Sequence, residues 1–144
     1  MAFDATHHRL FVGCHNKLMA MLDTETGKVV ATVPIGAGVD GCAFDDATQL
    51  AFASCGDGTT TIAKEETPQK LTTIQTLKTE RGARTIALDP QTHRRWQAVR
   101  RVCRIVTFLS SGCNNSSLIS IVFAKNEFPQ TAENHHHKGE TNAH

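Results

Sequence analysis

Tyrosine is absent from this chain of 144 residues and tryptophan occurs once, so large aromatic anchors are scarce. A dominant charge is missing too: 15 Lys+Arg stand against 14 Asp+Glu, for a formal net charge of +1. No global field therefore points to nucleic acid or an acidic membrane. No run approaches the ~18 continuous apolar residues that a membrane span requires. Met1-Ala2-Phe3-Asp4 leads straight into patterned sequence with no signal peptide, which reads as a soluble chain without a targeting address. Among Cys14, Cys42, Cys55, Cys103 and Cys113 no pair has CxxC spacing, and the odd number excludes a fully paired intramolecular framework. Reduced cysteines acting as small apolar residues are expected. Long apolar segments of helical period are lacking as well.

What is present is unevenly placed. The length allows one domain with a sizeable core, and the apolar fraction of 40% is ordinary. The first ninety residues are rich in Thr, Ala, Gly, Val and Asp. Residues 1–90 balance at −3 and residues 91–144 at +4, and no acidic residue lies between Asp89 and Glu127.

The chain repeats itself. Ala2-Phe3-Asp4 returns as Ala43-Phe44-Asp45 and as Ala87-Leu88-Asp89, at offsets of 41 and 44 residues. The first offset holds without a gap: Phe11 falls on Phe52, Cys14 on Cys55, Asn16 on Asp57, Met21 on Ile62 and Thr26 on Thr67. Gly38 falls on Gly82 once three residues enter the second connection. A period of about 40–45 belongs chiefly to four-stranded propeller blades and to two-helix HEAT-type repeats.

Local chemistry decides for strands. Short apolar runs at 10–14, 18–22, 29–33 and 39–44 are separated by the turn formers His15-Asn16-Lys17 and Asp23-Thr24-Glu25-Thr26-Gly27-Lys28. Asn and Asp stabilise turns through their own side chains, and Gly27 supplies positive φ cheaply. The second unit repeats the order at 50–54, 59–63 and 71–77, with Cys55-Gly56-Asp57-Gly58 as its hairpin turn and 64–70 as a charged loop holding Pro68. The expectation is an all-β fold, a partial β-propeller of about two four-stranded antiparallel blades with an irregular C-terminal tail. Residues 1–93 hold the repeats, including the start of a third blade. Residues 94–144 read as a divergent, frame-shifted tail whose last ~20 residues are polar enough for disorder.

Leu22-Asp23-Thr24-Glu25-Thr26-Gly27-Lys28-Val29-Val30 followed by Ile35-Gly36, the Phe-Asp and Leu-Asp-Pro strand ends, and Arg81-Gly82-Ala83-Arg84-Thr85 resemble the YVTN-type β-propeller repeats of YncE-like proteins. The resemblance covers about residues 2–93. It implies a bacterial, often exported propeller, usually of seven blades, grouped with quinoprotein-like and lactonase-like propellers. At about forty-two residues per blade such a ring needs on the order of 300 residues, so this chain reads as a fragment of one.

No catalytic, cofactor-binding or metal-binding residue is assigned from the sequence, and no cofactor is expected. Asp40 and Arg84 are the ligand-binding candidates, each four residues before its repeat's strand end. Propellers bind ligands where such strand starts converge on the central channel. The leading reading is a non-enzymatic ligand-binding or protein-interaction scaffold, WD40-like in architecture and inactive alone, self-associating through open blade edges. A piece of a lactonase-like or quinoprotein-like enzyme is the alternative. Nucleic-acid binding through Arg94, Arg95, Arg100, Arg101 and Arg104 with Trp96 is a third reading, disfavoured because the repeats are net acidic. His135-His136-His137 suit only adventitious metal binding, and His7-His8 and His15 read as turn residues.

Overall fold

The computed structural model describes the backbone of residues 1–99, 104–109 and 120–124, and the side chains of residues 1–95 and Gln97. The strands are β1 (Ala2–Asp4), β2 (Arg9–Cys14), β3 (Leu18–Asp23), β4 (Val29–Pro34), β5 (Val39–Asp45), β6 (Leu50–Cys55), β7 (Thr59–Thr67), β8 (Lys70–Lys78), β9 (Ala83–Asp89), β10 (Arg94–Val99), β11 (Arg104–Leu109) and β12 (Ser120–Ala124). They form three four-stranded sheets, β1-β2-β3-β4, β5-β6-β7-β8 and β9-β10-β11-β12, each an antiparallel meander in chain order. Each sheet is one blade. The turns after first and third strands lie at one end of a blade, and the turn after the second strand lies at the other end.

The repeat is written in the backbone as well as in the side chains. His8, Gln49 and His93 have φ of 55°, 56° and 52°, at the same place in the first turn of each blade. Lys17 and Gly58 share positive φ in the second turn, as do Gly38 and Gly82 in the two connections between blades. Side chains tolerate this left-handed region poorly, so its recurrence at fixed offsets marks one turn design used repeatedly.

The blades pack face to face. Phe11, Met19, Met21, Val33 and Ile35 of the first blade bury against Ala51, Ala53, Cys55, Ala63 and Leu71 of the second. Large side chains from one sheet thus meet small ones from the other, which lets two layers interdigitate without voids. Phe11 and Phe44 stack across this junction with ring centroids 4.7 Å apart. On the opposite face of the second blade, Leu50, Phe52, Ile62 and Leu77 form another cluster, joined by Ile86 and Leu88 of β9. The central strand β6 is covered on both sides, and all six of its residues are buried. Gly41 allows β5 and β9 to approach closely: a Cβ there would lie 2.8 Å from Ile86 Cγ2 and 3.0 Å from the Arg84 carbonyl oxygen.

Two differences from the sequence reading stand out. The expected charged loop at 64–70 is strand over most of its length, because β7 runs on to Thr67 and carries Glu65 into the first junction. The repeat motif fades after His93, yet strand pairing does not: Arg94↔Asp89 through Val99↔Ala83 joins β10 to β9. Ladder hydrogen bonds come from the main chain, so pairing persists where side-chain identity has drifted. The expected disorder of the last ~20 residues, the His135–His137 run, Cys103, Cys113, Arg100 and Arg101 lie outside the described residues.

Candidate functional site

Each blade's first strand ends in an aspartate, and the three aspartates have different partners. Asp89 serves its own turn: Gln91 N–H donates to Oδ1 at 2.9 Å and the Thr92 hydroxyl to Oδ2 at 2.5 Å. These bonds, led by the Thr92 hydroxyl, hold its carboxyl below the usual range. Asp4 likewise accepts from Thr6 N–H at 2.8 Å and His7 N–H at 3.3 Å. Unlike Asp89, Asp4 and Asp45 are buried and also reach across a junction to the next blade.

At the junction of second and third blades, Asp45 receives Arg95 Nη2 at 3.0 Å and His93 Nδ1 at 3.0 Å. The Arg95 guanidinium lies 4.0 Å over the Phe52 ring, and the residue has no solvent exposure. Beside it Gln97 Nε2 donates to the Thr60 hydroxyl at 2.6 Å. By repeat position Arg95 and Gln97 stand where the second blade has Ala51 and Ala53. The drift after His93 is thus a polar substitution at a blade face, compensated by a carboxylate, a ring and a hydroxyl. Burial lowers the Arg95 pKa and the Asp45 charge opposes that. Arg95, counted from sequence in a basic nucleic-acid patch, faces inward and is withheld from any phosphate.

The junction of first and second blades holds the other cluster. His7 Nδ1 lies 2.8 Å from Asp4 Oδ2 and 3.3 Å from Glu65 Oε1. One ligand atom from each of Asp4, His7 and Glu65 lies within 4.8 Å of the other two, a donor set able to hold a metal ion. The Glu65 side chain is fully buried beside Asp4 and His7, and among the described residues neither of its oxygens has a further hydrogen bond of good geometry. Arg9 is adjacent but engaged elsewhere: Nη1 meets Asp23 Oδ2 at 3.2 Å and the His8 carbonyl at 3.1 Å, and Nε the Pro68 carbonyl at 2.6 Å. Desolvation, with the Asp4 charge second, pushes the Glu65 carboxyl up to about 7.

This raised value fixes the sign of a pH effect. The protonated form is favoured by the fold, so its contribution is full below about pH 4.5 and is lost as pH rises through about 7. Urea midpoints of chelator-treated protein are expected to fall between about pH 5 and pH 8, and Glu65→Gln should flatten that fall. A slope unchanged by the substitution would assign the effect to other groups.

The sequence-derived candidates sit at the opposite end of the blades. Asp40 and Arg84 are the second residues of β5 and β9, and both are exposed. The Thr85 hydroxyl lies 3.5 Å from Asp40 Oδ2, and no ion pair between Asp40 and Arg84 occurs among the described residues. Nearby Asp57 accepts from Ala37 N–H at 2.6 Å and from the Thr59 hydroxyl at 2.7 Å, which ties the interblade connection to the second turn. Cys14, Cys42 and Cys55 are free thiols. Burial pushes the Cys55 thiol up to about 11 and raises Cys42 as well. Shared blade position therefore accounts for Cys14 and Cys55 without a disulfide.

Sequence reasoning passed over Asp4, His7 and Glu65. The Asp-x-x-His spacing was available as a signal, but Glu65 sat in an expected loop, and only the packing of two blades brings it to the pair.

No family model matches the chain, and no curated protein sequence matches it significantly. Solved structures do. The Saccharomyces cerevisiae Sqt1 structure aligns with a TM-score of 0.71 at 10% identity, over 86% of this chain and 34% of that one. Dihydro-heme d1 dehydrogenase NirN in complex with DHE aligns at 0.66 with 14% identity, over 85% and 27%. The β-propeller domain of Myceliophteria thermophila Cps50 (Swd1) aligns at 0.60 with 11% identity, over 85% and 42%. The chain thus spans between 27% and 42% of the length of these proteins. Such likeness speaks for fold alone, and it agrees with the strand order and blade packing: the chain is an all-β stretch of β-propeller blades.

Proposed function

We propose that this chain serves as a non-enzymatic binding scaffold, part of a YncE-like propeller, with the Asp40 and Arg84 end of its blades as the ligand- or partner-facing surface. One observation carries the reading: opposite charges occupy equivalent, exposed positions on neighbouring first strands, β5 and β9, which pack side by side. Such a pair suits a dipolar or zwitterionic ligand, each end meeting its opposite charge. Further blades, from the same polypeptide or from other copies, would surround it with convergent groups. Fold by itself does not choose the activity, since a dehydrogenase and WD40 repeats both align with this chain. A lactonase-like or quinoprotein-like parent would need catalytic groups supplied by those other blades.

The test is a thermal-shift screen of charged and zwitterionic small molecules, with light scattering to establish the assembled state. Hits are expected to lose their shift in both Asp40→Ala and Arg84→Ala proteins. A screen without hits, or hits indifferent to both substitutions, would overturn the reading.

A further inference from the structure

We propose that Asp4, His7 and Glu65 form a site for one divalent cation of the zinc type, clamped between the first and second blades. The proposal is independent of the Asp40 and Arg84 surface, which lies at the other end of the blades. Zinc binds imidazole nitrogen and carboxylate oxygen with bonds of about 2.0–2.2 Å. Tetrahedral ligand atoms then stand roughly 3.3–3.6 Å apart by geometry. His7 Nδ1 already lies 2.8 Å from Asp4 Oδ2 and 3.3 Å from Glu65 Oε1, so only small side-chain shifts are needed. A nitrogen donor beside two carboxylates favours zinc-like ions over calcium or magnesium, which prefer all-oxygen shells.

Two further observations point to incomplete compensation of the two carboxylates. Glu65 is 3% exposed, and outside its contacts with Asp4 and His7 neither carboxylate oxygen has a hydrogen bond of good geometry among the described residues. Buried carboxylates are normally paired or coordinate metals. The neighbouring junction supplies the comparison. There the equivalent aspartate, Asp45, meets a buried guanidinium from Arg95. In the first junction the position equivalent to Arg95 is Ala51, which carries no charge, and a second carboxylate arrives instead. Arg9 attracts Glu65 through space, but its own bonds go to Asp23 and two carbonyl oxygens. The side chain of His7 is 34% exposed, which gives an ion a path in and leaves room for a water as fourth ligand. Because Asp4 and His7 belong to one blade and Glu65 to the next, the ion would lock the junction.

The experiment uses the full chain with His135, His136 and His137 each replaced by alanine, which removes the adventitious tail site. After treatment with chelator and its removal, zinc chloride is titrated calorimetrically and the melting temperature is followed with and without zinc. One zinc per chain is expected, with an upward shift in melting temperature. Affinity should fall at least about ten-fold in His7→Ala and in Glu65→Gln, and the zinc-induced shift should vanish in the latter. Glu65→Gln removes a like-charge contact and keeps the shape, so it also guards against simple misfolding. No binding once the tail histidines are replaced, or affinity unchanged in both variants, overturns the site.

Discussion

Replacing Asp45 with alanine is expected to cost the fold roughly 3–5 kcal/mol, the usual penalty for leaving a buried charge without its partner. Arg95 has a side-chain exposure of 1% and Asp45 of 2%, so neither can turn to water when the other is lost. Among the described residues Nε and Nη1 of Arg95 have no hydrogen bond, and Asp45 and the Phe52 ring are what balances the guanidinium. The complementary change should behave differently. Asp45→Asn combined with Arg95→Met removes both charges and keeps a flexible apolar stem over Phe52, and it should lie within about 1–2 kcal/mol of the parent or exceed it. Urea unfolding of the parent, the single variant and the double variant, read by circular dichroism, checks both statements. A single variant as stable as the parent would mean that the third blade does not hold Arg95 against the second.

The second large effect belongs to the junction of first and second blades. Phe11→Ala is expected to cost about 3–5 kcal/mol, because the ring is wholly buried and its neighbours have little freedom to collapse into the space. The surrounding layer explains this rigidity: Ala51, Ala53 and Ala63 are short side chains fixed on paired strands. Phe44, stacked on Phe11 across the junction, should show coupling beyond additivity of about 0.5–1.5 kcal/mol. A double-mutant cycle of Phe11→Ala and Phe44→Leu measures it. Additive effects would indicate that the two blades do not depend on this ring contact.

Much of the architecture could be read directly because repetition makes one chain its own comparison. Phe11 and Phe52, Met21 and Ile62, and Cys14 and Cys55 share blade positions in the sequence. Five of these six, Phe11, Phe52, Met21, Ile62 and Cys55, are buried in the core, and Cys14 is half-buried. Turn chemistry was legible for the same reason: Asp23 and Asp57 cap their turns as their residue types suggest. The third sheet was hidden after His93, since Arg94-Arg95-Trp96-Gln97 breaks the apolar pattern expected of a strand facing another blade. Arg95 and Gln97 are hidden polar residues with partners on other strands, Asp45 at 50 residues' distance in sequence and Thr60 at 37. No local pattern announces such pairs.

The sequence by itself determined the all-β character, the forty-odd-residue period, most strand positions and the turn residues. Those follow from near-neighbour physics: side-chain alternation, the conformational tolerance of Gly, Asn and Asp, and a hydrophobic pattern repeated along one chain. Tertiary structure alone decided which face of each blade meets which, and therefore which aspartate gains a guanidinium and which gains a second carboxylate. Charge compensation in a buried junction depends on atoms a few ångströms apart in space but dozens of residues apart in sequence, and only the packing of blades sets that distance.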